Sequence, residues 1–213
     1  MEGRSVKPRY DPRVFLALTV SPGNKQRLGA LQELFRPVLP SWHFIPPPNF
    51  HVTLRFFGEL PEEQIAPIDA ACRELAPRLQ PFTLEWDSID FFGPPKSARV
   101  LFAAARISPE LTRLMQELTH LPPEGERERK EFTPHITLAK ARSQLDAGSQ
   151  RASAVILGRL REQKRVGLAP LEFSMTSVHL EFVLMETVWV GRSVDYVIRQ
   201  SYPFTPKEHE LAG

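Results

Sequence analysis

Cysteine is nearly absent: Cys72 is the single one in 213 residues, so no intrachain disulfide can form. A chain without disulfides suits a reducing compartment, and a cytoplasmic location is expected. Cys72 follows Ala70 and Ala71 in a helix-like stretch, which fits a buried structural thiol better than an exposed nucleophile. Long apolar runs are missing as well. The first such run, "VFLALTV", is too short for a bilayer and has no small-residue cleavage pattern behind it. Neither a membrane anchor nor a secretory leader is therefore expected. There is no large excess of one charge: the net value of +2 excludes wholesale coating of nucleic acid but leaves room for a local phosphate site. Glycine is scarce, 11 residues against 21 prolines, and no glycine-rich phosphate loop or GxGxxG fingerprint occurs. His, Asp and Glu do not cluster at metal-ligand spacing, so neither metal nor cofactor is expected.

What is present is ordinary for a packed core: 42% hydrophobic and 24% charged residues. The prolines gather at Pro46–Pro48, Pro94–Pro95 and Pro122–Pro123, which predicts stiff connections between elements. The polar, basic "MEGRSVKPRY" predicts a tail over residues 1–12, and "TPKEHELAG" another over 205–213, around one domain at 13–204. Within it "RVFLALTV" reads as a strand and "SPGNKQRLGALQELFRPVL" as a helix capped by Ser21 with Pro22 in its first turn. "ELPEEQIAPIDAACRELAPRL" predicts a second helix, bent or delayed at Pro67. "FTLEWDSIDFFG" and "ARVLFAAARI" read as strands around a turn, and "SPELTRLMQELTHL" repeats the Ser-Pro helix start. "SQRASAVILGRLREQ" is a further helix, before two long strand patterns, "LEFSMTSVHLEFVLM" and "TVWVGRSVDYVIRQ". Interspersed helices and hairpin-length links between strands predict an α+β fold with largely antiparallel sheets.

One short word is written twice among only six histidines: "HVTL" begins at His51 and "HITL" at His135. In a strand, alternate side chains share a face. His51 and Thr53 then point one way, with Val52, Leu54 and Phe56 opposite in the core; His135 and Thr137 repeat this over Ile136 and Leu138. Each copy offers an imidazole that exchanges protons near neutrality beside a hydroxyl that donates to an anionic oxygen. Two such units face to face supply an acid and a base on opposite sides of one phosphorus, as in-line displacement requires. The pattern leaves acid and base interchangeable.

With their flanks, "HVTLRFFGEL" and "FTPHITLAK" resemble the paired motifs of the two-histidine (2H) phosphoesterase superfamily. Within it they are most similar to the RNA 2′,3′-cyclic phosphodiesterases, also called 2′-5′ RNA ligases. The likeness runs from "VFLALTVSPG" to "VGRSVDYVIRQSYPF", nearly the whole chain. It implies a bilobal fold with two pseudo-twofold related lobes around a central cleft. It also implies metal-independent opening of a terminal 2′,3′-cyclic phosphate on RNA to a 2′-phosphate. By motif position His51 would be the general acid and His135 the general base, with Thr53 and Thr137 holding phosphate oxygens. The family usually has arginine where this chain has Lys140; Arg142 follows two residues later, and either is a phosphate-contacting cation or a solvated strand-end charge. Arg55, on the face assigned to His51, is a further cation candidate; Phe57 either stacks a base or joins the core.

The expected partner is RNA with a cyclic phosphate end, bound by a monomer with no obligate protein partner. His179 either lines the cleft or is a satisfied strand histidine, and His43, His120 and His209 suggest no chemistry. "EGERERKE" reads as a solvated loop or a minor flap over RNA. Two other functions fit the same residues: 2′-5′ joining of RNA ends, in which a 5′-hydroxyl replaces water, and a non-catalytic RNA-end binding module.

Overall fold

The computed structural model describes residues 11–122, 132–142, 147–165, 173–191 and 193–206. Among these residues nine strands form one sheet: β1 Arg13–Thr19, β2 Trp42–Phe44, β3 His51–Glu59, β4 Phe82–Phe92, β5 Val100–Ala105, β6 His135–Ala141, β7 Met175–His179, β8 Glu181–Val190 and β9 Ser193–Pro203. Four helices intersperse them: α1 Pro22–Phe35, α2 Glu62–Leu75, α3 Pro109–Thr119 and α4 Ala147–Arg165. The predicted element order is found. The strand order is β7-β4-β5-β6-β3-β1-β8-β9, with β2 also paired to β6, and all the described pairings are antiparallel.

That order divides into halves. β3-β1-β8-β9 and β6-β5-β4-β7 meet at one contact, Val52 on β3 opposite Ile136 on β6, the middle residues of the two repeated words. Both are fully buried. In each half a strand runs into a Ser-Pro helix start. Ser21 accepts from the Asn24 backbone N–H at 3.4 Å and Ser108 from that of Leu111 at 3.1 Å, each satisfying an otherwise orphaned helix donor. The halves are thus related by a pseudo-twofold through the Val52–Ile136 contact.

β7 and β8 lie in different halves of the strand order yet are separated only by Leu180, so the sheet has to curl until its β7 edge approaches the start of β8. The sequence reads residues 171–185 as one continuous strand, and the structure breaks it at this crossing. The reading that began a new strand at Thr187 is corrected too: β8 runs on to Val190, and the hairpin turns at Gly191, whose φ of +64° favours glycine.

Pro67 lies inside α2, which starts directly at Glu62 and runs through it. β2, where the sequence patterns predict no element, is a short strand whose Trp42 indole donates to Ser153 on α4 at 3.0 Å. Buried Gln32 on α1 donates through Nε2 to the carbonyls of Ile45 (2.8 Å), just after β2, and Leu138 (2.7 Å), fastening the helix to the second motif strand, β6. The expected tails begin inside hydrogen-bonded backbone: Pro12 O accepts from Leu60 N–H and Leu79 O from Thr205 N–H. Residues 1–10, the stretch "EGERERKE" expected as a solvated loop or flap, and His209 lie outside the described residues.

Candidate active site

The regular part of each motif strand behaves as alternation dictates. Val52 and Ile136 are buried, while His51, Thr53, His135 and Thr137 line a cleft of about 430 Å³ on the opposite face. Because the strands run antiparallel through the Val52–Ile136 contact, His51 comes across from Thr137 and Thr53 across from His135. The two imidazoles then occupy a diagonal, roughly 7–8 Å in regular sheet geometry, with the hydroxyls on the other diagonal. A tetrahedral phosphate fits between them.

Each imidazole is held in the same way. His51 Nδ1 lies 2.8 Å from the Asn49 carbonyl and His135 Nδ1 lies 2.8 Å from the Thr133 carbonyl, in both cases two residues back. A carbonyl only accepts, so Nδ1 carries the hydrogen in both rings and Nε2 is left for chemistry. Rings complete the clamp. Phe15 lies 5.0 Å from His51 and Tyr196 meets it edge-on at 4.8 Å; Phe102 lies 5.3 Å from His135 and Phe92 meets it edge-on at 4.9 Å. This burial lowers both imidazole pKa values, His51 to about 4, and the Lys140 charge lowers both further. Both rings are neutral at pH 7 in the free protein, with Nε2 available as a base.

The other candidates separate. Lys140 lines the cleft. Arg142, the residue after β6, is exposed and outside the cleft lining; its carbonyl accepts from Arg99. Arg55 does not share the His51 face. Its Nη1 donates to the carbonyls of Leu118 and Leu121, 2.6 Å each, at the end of α3, and its guanidinium lies over Phe57, itself buried. Phe56, expected in the core, lines the cleft instead. The cause is a pair of register shifts: β1 skips Leu54 and Phe57 in pairing with β3, so Leu54 keeps its expected core face and the alternation breaks after it. His179 is buried 2.8 Å from Ser177 Oγ, away from the cleft lining, as the satisfied-histidine reading had it. Cys72 is fully buried, its pKa raised to about 12 by desolvation, and is therefore inert.

Sequence reasoning missed Arg13, Phe15, Asn49, Phe92, Trp189 and Tyr196, all in the cleft lining. Alternation along "RVFLALTV" puts Arg13 and Phe15 on one face; which face meets the cleft needs the β1–β3 pairing. Among the described residues no Asp or Glu lines the cleft, while Arg13 and Lys140 do, so it suits an anion. Among the described residues no three His, Cys, Asp or Glu side chains gather in a way that could hold a metal ion, and no helix is long and apolar enough to cross a membrane.

Residues 43–181 match the family model described as the 2′-5′ RNA ligase superfamily. An RNA 2′,3′-cyclic phosphodiesterase of Bacillus subtilis is 28% identical over 137 residues, covering 62% of this chain and 73% of the relative. A putative phosphoesterase of Bacillus cytotoxicus is 32% identical over 150 residues, covering 70% and 78%. Among solved structures, E. coli LigT complexed with 3′-AMP superposes with a TM-score of 0.70 at 20% identity, over 92% of this chain and 99% of LigT.

Proposed function

This chain belongs to the 2′-5′ RNA ligase superfamily, and we propose that it hydrolyses a terminal 2′,3′-cyclic phosphate on RNA to a 2′-phosphate. The observation that carries the reading is the pair of imidazoles across one small cationic cleft, each with Nδ1 tied to a carbonyl and Nε2 free. The names of curated relatives, RNA 2′,3′-cyclic phosphodiesterases, supply the substrate class.

In the proposed reaction His135 Nε2 takes a proton from water as its oxygen attacks phosphorus. The bond from phosphorus to O3′ breaks, and His51, protonated at Nε2, gives its proton to that oxygen. The ring opens to a 3′-hydroxyl and a 2′-phosphate, and the two histidines finish with exchanged charge. Thr53 and Thr137 donate to the non-bridging oxygens, and Lys140 balances their charge. The acid has to be charged before the step. The phosphate anion supplies that condition, since an opposite charge in a desolvated site favours imidazolium.

The stronger depression at His51, to about 4, favours a second reading in which the two roles are exchanged. A substrate with sulfur replacing O3′ separates them, because a thiolate leaves without a proton. In EDTA, the wild type is expected to yield a 2′-phosphate from the oxygen substrate. The sulfur substrate is expected to restore turnover to His51→Ala and not to His135→Ala. Rescue of His135→Ala alone reverses the roles, and no product from the wild type removes the substrate assignment.

A further inference from the structure

The two halves differ at the lips of the cleft. In the half carrying His135, the β4–β5 hairpin ends at the Phe92–Val100 pair and turns at Gly93, where the guanidinium of Arg161 on α4 donates to the Gly93 carbonyl at 3.0 Å and covers the Phe91 ring. That lip is clasped. In the half carrying His51, the described pairing of β1 with β8 runs as far as Arg13 opposite Thr187, while β8 and β9 continue through Val188–Asp195, Trp189–Val194 and Val190–Ser193. A two-stranded ribbon thus stands beyond the sheet. On it Trp189 is 71% exposed, the most exposed of the large apolar side chains among the described residues, yet it faces the cleft.

A tryptophan exposed at the mouth of the cleft offers a flat aromatic face on which a planar ring can stack. The ribbon is anchored for this: Asn49 Nδ2 donates to the Val194 carbonyl at 2.9 Å, and the carbonyl of the same Asn49 holds His51. A continuous face leads from His51 to edge-packed Tyr196, across to Thr187, its partner on β8, and two residues (roughly 7 Å) on to Trp189. Arg13, beside Thr187, lies with its guanidinium 4.9 Å over the Phe56 ring. An aromatic platform beside a cation, with no carboxylate among the described lining residues, fits a base and the phosphate next to it.

We propose that this ribbon is a subsite for the nucleotide preceding the reacting end, in which Trp189 stacks its base and Arg13 binds the phosphodiester joining it to the terminal residue. The proposal rests on the RNA reading above and adds to it that the substrate is a strand rather than a mononucleotide, with stacking tolerant of base identity.

The test compares a trinucleotide and a mononucleotide, each supplied both as 2′,3′-cyclic phosphates for turnover and as 2′-phosphates for equilibrium binding. The wild type is expected to prefer the trinucleotide in both. Trp189→Ala should reduce that preference about tenfold, and Trp189→Phe should restore most of it. Arg13→Met should lower the slope of log affinity against log salt for the trinucleotide by about 0.7. An unchanged preference in Trp189→Ala, or a wild type that binds both ligands alike, overturns the subsite. If no cyclic phosphate turns over but the trinucleotide preference exists and falls in Trp189→Ala, the subsite stands and the hydrolytic reading falls.

Discussion

His179 offers a measurement of burial that does not involve the cleft. It is 4% exposed on β7, against Phe82, in a relay: the Trp86 indole donates to Ser177 Oγ at 2.8 Å, and Ser177 Oγ lies 2.8 Å from His179 Nε2. Since Ser177 oxygen already accepts from the indole, the economical arrangement has its hydroxyl donating to an unprotonated Nε2. Protonation would replace that acceptor with a second donor, and burial alone lowers the pKa to about 4. The sign follows by linkage. A depressed folded pKa means stability that is whole above the unfolded value near 6.5 and is lost as pH falls toward 4. Between pH 7 and pH 5 the unfolded chain gains most of a proton that the folded one refuses, which costs about 2 kcal/mol. His179→Phe removes that sensitivity at a pH-independent cost of about 1 kcal/mol for the lost hydrogen bond. Urea denaturation at pH 7 and pH 5 should therefore show the wild type losing about 2 kcal/mol more than the variant over this interval. Equal losses in both proteins would refute the assignment of His179 as a buried neutral imidazole.

Three more outcomes are expected. Both cleft imidazoles are depressed below 6.5 in the free protein, so kcat/KM against pH should peak on the acid side with both limbs below about 6.5; a falling limb centred above pH 7.5 would contradict this. Asn49→Ala leaves the carbonyl that holds His51 but removes the bond to Val194, and thermal denaturation should show a loss of about 1 kcal/mol, with unchanged stability counting against the anchor. Gly58 sits at φ +89° where an added Cβ meets nothing closer than 3.9 Å, so Gly58→Ala should cost about 1–2 kcal/mol from backbone conformation alone; a neutral result in urea denaturation would mean that the strand relaxes there.

Much of the site is legible in the sequence because it stands on the simplest part of each strand. His51, Val52 and Thr53, like His135, Ile136 and Thr137, obey strict alternation, so a period of two places the imidazoles and hydroxyls on one face without further knowledge. Leu54 is still buried as alternation predicts, and the method fails one residue later, at Arg55. The extra residues Leu54 and Phe57 are invisible to a period of two, and they turn Arg55 and Phe57 toward α3 and the core while bringing Phe56 to the cleft. The one local sign was Gly58, a glycine inside a strand pattern. The crossing at Leu180 had no sign at all, because apolar alternation continues through it from β7 into β8. The cleft wall at Trp189 and Tyr196 was hidden for a different reason: it depends on which strands pair, a long-range fact that no local window contains. The α+β character and antiparallel pairing survived these errors, since they rest on element order and link length.

The central claim is that two imidazoles act together on one cyclic phosphodiester. The most direct test is single-turnover hydrolysis of an RNA oligonucleotide ending in a 2′,3′-cyclic phosphate, comparing wild type, His51→Ala, His135→Ala and the double variant. Each single loss is predicted to lower the rate by about 10²–10⁴-fold, and the double variant by far less than the product of the two, because an acid and a base in one concerted step act as a unit. Wild-type rates in either single variant would contradict the account.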